Sequence, residues 1–107
     1  MSNTYQIYLI SDSTGETLDR VFLAIKAQFK NIDYDVKSYF FTRTENQIVK
    51  IMEEAKEKNN SIILYTIVDT SLAKFLAEKG DEKKIPCFSV LGNLIMNFSK
   101  LLNQKAS

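Results

Sequence analysis

Two periods alternate along this chain. Tyr5-Gln6-Ile7-Tyr8-Leu9-Ile10 is apolar, aromatic and β-branched almost throughout, the pattern of a buried strand. Leu18, Val21, Phe22, Ile25 and Phe29 then recur at helical spacing and predict a helix over residues 15–30 with one apolar stripe. From Tyr34 to Phe41 polar and apolar residues alternate, which predicts a strand at a sheet edge. Thr44-x-x-Gln47 matches a capping box. It opens a helix with Ile48, Ile51, Met52 and Ala55 inward and Glu53, Glu54, Lys56, Glu57 and Lys58 outward. Asn59-Asn60 ends that helix, and Ser61 to Ile67 reads as the most clearly buried strand. Asp69 is placed to cap a third helix bearing Leu72, Phe75 and Leu76, with Gly80 as its terminating glycine. Pro86 leads into a short strand, Cys87-Phe88-Ser89-Val90. After Gly92 a last helix carries Leu94, Ile95, Phe98, Leu101 and Leu102, and the tail from Gln104 to Ser107 reads as frayed.

The order is strand–helix repeated four times. Such connections give parallel strands with right-handed crossovers. The expected product is an α/β fold: a three-layer αβα sandwich on a four-stranded parallel sheet, in the flavodoxin-like order 2-1-3-4. With 107 residues, no repeat and no linker, the chain reads as one domain.

Composition narrows the chemistry more than the fold. Fourteen basic residues face thirteen acidic ones, so the charge gives no reason to expect a nucleic-acid or membrane partner. One cysteine, Cys87, permits no internal disulfide. The absence of histidine removes Ser-His and Cys-His catalysis and the usual zinc sites, and no metal is expected. Acid–base work would fall to carboxylates, Lys, Tyr or Cys. No apolar run is long enough to cross a bilayer. The polar opening, Met1 to Gln6, does not read as a signal peptide. Together these absences point to a cytoplasmic protein.

Open parallel sheets bind ligands beyond the carboxyl ends of their strands, where neighbouring crossovers diverge. In this order the rule selects Ser11 to Thr17, Thr42 to Thr44, Thr66 to Asp69, and Leu91 to Asn93. The first loop, Ser11-Asp12-Ser13-Thr14-Gly15-Glu16-Thr17, is the richest. Gly15 allows close backbone approach, and free N–H groups of a first helical turn favour an anion such as phosphate. Hydroxyls of Ser13, Thr14 or Thr17 add donors, whereas Asp12 and Glu16 repel phosphate unless a metal or a basic group intervenes. Arg43, at the end of the second strand, can supply that basic group and grip an oxyanion with two parallel bonds. A plainer reading stands beside this one. Ser13-x-x-Glu16 is itself a capping box, Arg43 can pair with a surface carboxylate, and Asp69 can serve only as a cap. Cys87, with no basic neighbour in sequence, reads as core, and the aromatic residues read mainly as packing. Neither G-x-G-x-x-G nor G-x-x-x-x-G-K-[ST] occurs.

At these loops the sequence resembles a known family. Ile7-Tyr8-Leu9-Ile10-Ser11-Asp12-Ser13-Thr14-Gly15-Glu16-Thr17 is similar to the opening of the pyruvate, phosphate dikinase regulatory proteins and their relatives acting on phosphoenolpyruvate synthetase. Thr42-Arg43-Thr44-Glu45, Leu64-Tyr65-Thr66-Ile67-Val68-Asp69, and Pro86-Cys87 through Val90-Leu91-Gly92 agree in order. Gly92-Asn93-Leu94 departs from the Gly-Pro-Leu of the pattern. The resemblance implies a bifunctional serine/threonine kinase and phosphorylase. It would use ADP to phosphorylate a threonine of the dikinase and inorganic phosphate to remove that group, releasing pyrophosphate. It further implies that the nucleotide-holding P-loop lies in a C-terminal domain absent from these residues. Residues 1–107 would then be an N-terminal domain that binds no cofactor and phosphorylates nothing alone. Asp12, Ser13, Thr14, Gly15, Glu16, Thr17, Arg43, Thr44 and Asp69 match the family's motifs and are the candidate anion- or substrate-binding residues, none with an assigned catalytic role. Two other readings remain open: a non-catalytic module for target binding or homodimer formation, and a small phosphate or nucleotide sensor.

Overall fold

The first strand of the chain is a central one. In the computed structural model, which describes residues 4–106, β1 (Thr4–Ser11) lies between β2 (Asp33–Tyr39) and β3 (Ser61–Thr66), and β4 (Cys87–Ser89) flanks β3. All pairings are parallel, and the order is β2-β1-β3-β4 as expected. Ile7 sits opposite both Val36 and Ile62, and Leu64 opposite Phe88. The polar opening Met1-Ser2-Asn3 and the final Ser107 lie outside the described residues.

Strand alternation divides the core into two. Tyr8, Ile10, Ile63 and Tyr65 face one side, where α2 (Glu45–Glu57) and α3 (Thr70–Lys83) bring Ile48, Ile51, Met52, Ala55 and Leu76. Ile7, Leu9 and Leu64 face the other, where α1 (Glu16–Gln28) brings Leu18 and Phe22. The Phe22 ring meets Tyr34 edge-on, 5.4 Å between centroids. On the α2 side, Tyr39 stacks on Tyr8 and donates its hydroxyl to both carboxylate oxygens of Glu54, at 2.9 and 2.8 Å. Lys37 joins the same carboxylate at 3.1 Å. Edge strand β2 is thereby pinned to α2. Burial, followed by the bond to Glu54, pushes the Tyr39 phenol up to about 12. The Tyr39 bond, helped by Lys37, holds Glu54 below its ordinary value.

Several expectations change here. Gly80 does not end α3. The helix continues to Lys83 and closes at Lys84, which takes the left-handed conformation at φ 58°. A Cβ on Gly80 would stand 2.4 Å from the Cys87 sulfur, so the glycine lets helix and strand approach closely. Ser13 does not cap α1 either: Gly15 holds that position at φ 78°, with no side-chain cap. The aromatic residues are mainly packed, as expected, but Phe29, Phe41, Phe88 and Phe98 depart from this and are each more than half exposed. Only Leu18 and Phe22 of the α1 stripe are buried, and Ile25 and Phe29 lie open. The largest difference is α4 (Gly92–Leu102), in which no residue is buried although its stripe is the most apolar in the chain. Periodicity reports that a face is apolar; it does not supply the surface that covers it. The tail is not simply frayed, because Gln104 folds back onto Ser99 by two hydrogen bonds.

Candidate functional site: the strand-end cavity

The site is built on backbone bonds that continue the sheet past its last paired residues. The Asp12 N–H donates to the Thr66 carbonyl at 3.2 Å, carrying the β1–β3 ladder one step further. Across β1, the Thr42 and Phe41 amides donate to the carbonyls of Ser11 and Ser13, at 2.9 and 3.0 Å. The loops after β1, β2 and β3 are therefore fixed to one another before any side chain acts.

Asp12 completes the junction. Its carboxylate accepts from the Val68 amide at 2.8 Å, and its carbonyl accepts from Arg43 Nε at 3.1 Å. Half-buried Asp12 thus ties two loops that lie far away in sequence. Arg43 forms no ion pair among the described residues. Its guanidinium sits over the Phe41 ring, 5.3 Å from the centroid. With Nε occupied, its terminal amino groups have no protein acceptor among the described residues. Asp69 caps α3, accepting from the Leu72 amide at 2.9 Å.

These residues enclose an open cavity of about 620 Å³. Asp12, Ser13, Arg43 and Asp69, each singled out in the sequence, all line it. Glu45, Val68, Ser71 and Leu72 also line it and were not singled out. Their signal was positional: Val68 lies inside a selected loop, and Glu45, Ser71 and Leu72 lie in the first turn of the helix that follows one. Thr14, Gly15, Glu16 and Thr17 stand apart at the start of α1, and Gly15 is covered by the Phe40 ring. Thr44 is used locally. It caps α2 by accepting from the Gln47 amide at 3.2 Å, and Gln47 answers by accepting from the Thr44 amide at 3.0 Å. The loop from Leu91 to Asn93 does not reach the cavity. Among the described residues no three His, Cys, Asp or Glu side chains gather as a metal ion would need.

The cavity places one guanidinium among three carboxylates. Arg43 offers charged donors suited to acceptor oxygens such as those of a phosphoryl group. Asp12, Glu45 and Asp69 offer acceptors suited to a hydroxyl or a cationic group. Such a site recognises acceptor oxygens and a donor side by side better than it recognises a free polyanion.

A family profile described as kinase/pyrophosphorylase matches residues 7–107. A Pelagibacter ubique protein named as a pyruvate, phosphate dikinase regulatory protein is 92% identical over 107 residues, all of this chain and 39% of that protein. Proteins of the same name from Alkaliphilus oremlandii and Sinorhizobium medicae are 38% and 39% identical. They cover 90% and 94% of this chain and 34% and 36% of their own lengths. The chain therefore spans little more than a third of the curated relatives it matches.

Proposed function

The chain belongs to the kinase/pyrophosphorylase family, and from that premise we propose that its strand-end cavity forms one wall of the site at which the whole protein handles a phosphoryl group. In this reading the chain is the N-terminal domain of a bifunctional serine/threonine kinase and phosphorylase. The target is pyruvate, phosphate dikinase, as the relatives' names indicate, or phosphoenolpyruvate synthetase. ADP and inorganic phosphate are the substrates of the whole protein, and the nucleotide-holding P-loop lies in residues outside this chain. Alone, residues 1–107 would phosphorylate nothing.

The observation that carries the reading is the convergence of Asp12, Ser13, Arg43 and Asp69, from three separate loops, on one cavity. Arg43 is the group expected to meet the phosphoryl oxygens, because its terminal amino groups point to no protein acceptor. Asp12 positions that guanidinium through its carbonyl and holds the opposite rim through its carboxylate. Asp69 and Glu45 are the acceptors for the hydroxyl that receives or loses the group.

The test uses full-length protein with Arg43→Ala and Arg43→Lys. The expected outcome is a fall of at least tenfold in both kinase and phosphorylase turnover for Arg43→Ala, with target affinity within threefold of wild type. Lysine recovers part of the loss by restoring charge without the fork. Unchanged turnover with weakened target binding would instead make the domain a recognition module.

A further inference from the structure

The apolar face of α4 has no cover among the described residues. Leu94, Phe98, Leu101 and Leu102 recur at i, i+4, i+7 and i+8 and are 53%, 54%, 81% and 64% exposed. A solvent-facing helix carries polar residues on such a stripe, as the outer face of α2 does. The helix contains a single charged residue, Lys100. Its returning tail makes an apolar trough of about 520 Å³ whose far wall is Val68. Val68 also lines the strand-end cavity, and its amide is the one Asp12 holds. The trough and the candidate site therefore share a wall. Soluble monomers rarely expose a contiguous apolar surface of this extent without a use for it.

We infer that this face is the docking surface for the remainder of the family protein, an apolar segment of the same polypeptide seated along α4 and against Val68. The relatives are the reason for this occupant. They carry 61% or more of their length outside the region matched by this chain. A segment on the same chain faces α4 at an effective concentration in the millimolar range, which outcompetes a second copy at micromolar concentration. The choice of occupant rests on the two-part reading above; the exposed surface does not. Docking there sets the remaining residues beside the cavity at Val68, so that the site closes only in the whole protein.

Amide hydrogen exchange tests this on the 107-residue chain and on the full-length Pelagibacter relative. In the short chain, amides 96–102 should exchange rapidly while those of β1 and β3 stay protected. In the full-length protein the α4 amides should slow at least tenfold. Leu101→Asp in the full-length protein should return them to fast exchange, with β1 and β3 protection reporting that the fold persists. Fast α4 exchange in the full-length protein would overturn the proposal. So would slow exchange in the short chain: dependent on protein concentration, it would identify a second copy; independent of concentration, it would mean that the domain covers the face itself. Arg43→Ala should leave α4 exchange unchanged, so failure of the site reading and failure of the docking reading are separable.

Discussion

Gly15 concentrates two constraints in one residue. Its φ of 78° is a conformation that a side chain disfavours, and an added Cβ would lie 2.1 Å from the Phe40 ring. Gly15→Ala should therefore destabilise the domain by about 2–4 kcal/mol, strain and overpacking together. Urea unfolding measures this, and a loss under about 0.5 kcal/mol, the scale of an ordinary surface change, would refute it. Two look-alike signals show how far single residues were legible. Thr44-x-x-Gln47 and Ser13-x-x-Glu16 both spell a capping box, yet only the first is one. Ser13 is committed elsewhere: its carbonyl receives the Phe41 amide, and its own amide bonds Ser11 Oγ at 3.1 Å. Phe41 comes from another loop, so local sequence could not reveal that partner. Asp69 was legible as a cap because all its geometry is local.

At the scale of elements, period and order were enough to find the four strands, their helices and the sheet order. They failed where an element's fate depends on a neighbour. Gly80 reads as a terminator in one dimension and is a contact to Cys87 in three. The seam between β2 and α2 was also hidden, since Tyr39, Lys37 and Glu54 come from separate elements. That seam makes stability depend on pH at both ends. Glu54 has a folded pKa below 4.5, so its contribution is full above that value and is lost as pH falls through the folded pKa. Tyr39 is raised from 10.0 to about 12, so its contribution is full below 10 and is lost as pH climbs toward 12. Because Glu54 is partly exposed, each loss should be small, about 1 kcal/mol. Glu54→Gln should flatten the acid limb of a stability–pH curve and Tyr39→Phe the alkaline limb. Unchanged limbs in both variants would show that the seam is not coupled to folding.

Across the whole molecule, the most telling quantity is its breadth. The Cα radius of gyration is 14.3 Å, with extents of 52 × 30 × 22 Å, whereas a packed domain of this length is expected near 13 Å. The excess accords with an α4 none of whose residues is buried. Small-angle scattering on the 107-residue chain should show a shape more elongated than a packed domain; a compact profile matching a 13 Å core would mean that α4 folds onto the sheet. What the sequence withheld at this scale was the difference between an apolar stripe and a buried one.

The position of β1 has a further consequence, in time rather than in space. It is made before both its neighbours, β2 and β3, and β3 ends at Thr66. At 5–20 residues per second, the 55 residues that follow Ser11 through Thr66 take about 3–11 s to synthesise. Through that interval Ile7, Tyr8, Leu9 and Ile10 have no complete sheet to enter. The nascent chain thus carries a naked hydrophobic strand on the ribosome, and its yield in the cell should respond to chaperone supply more than the stability of the finished fold would suggest.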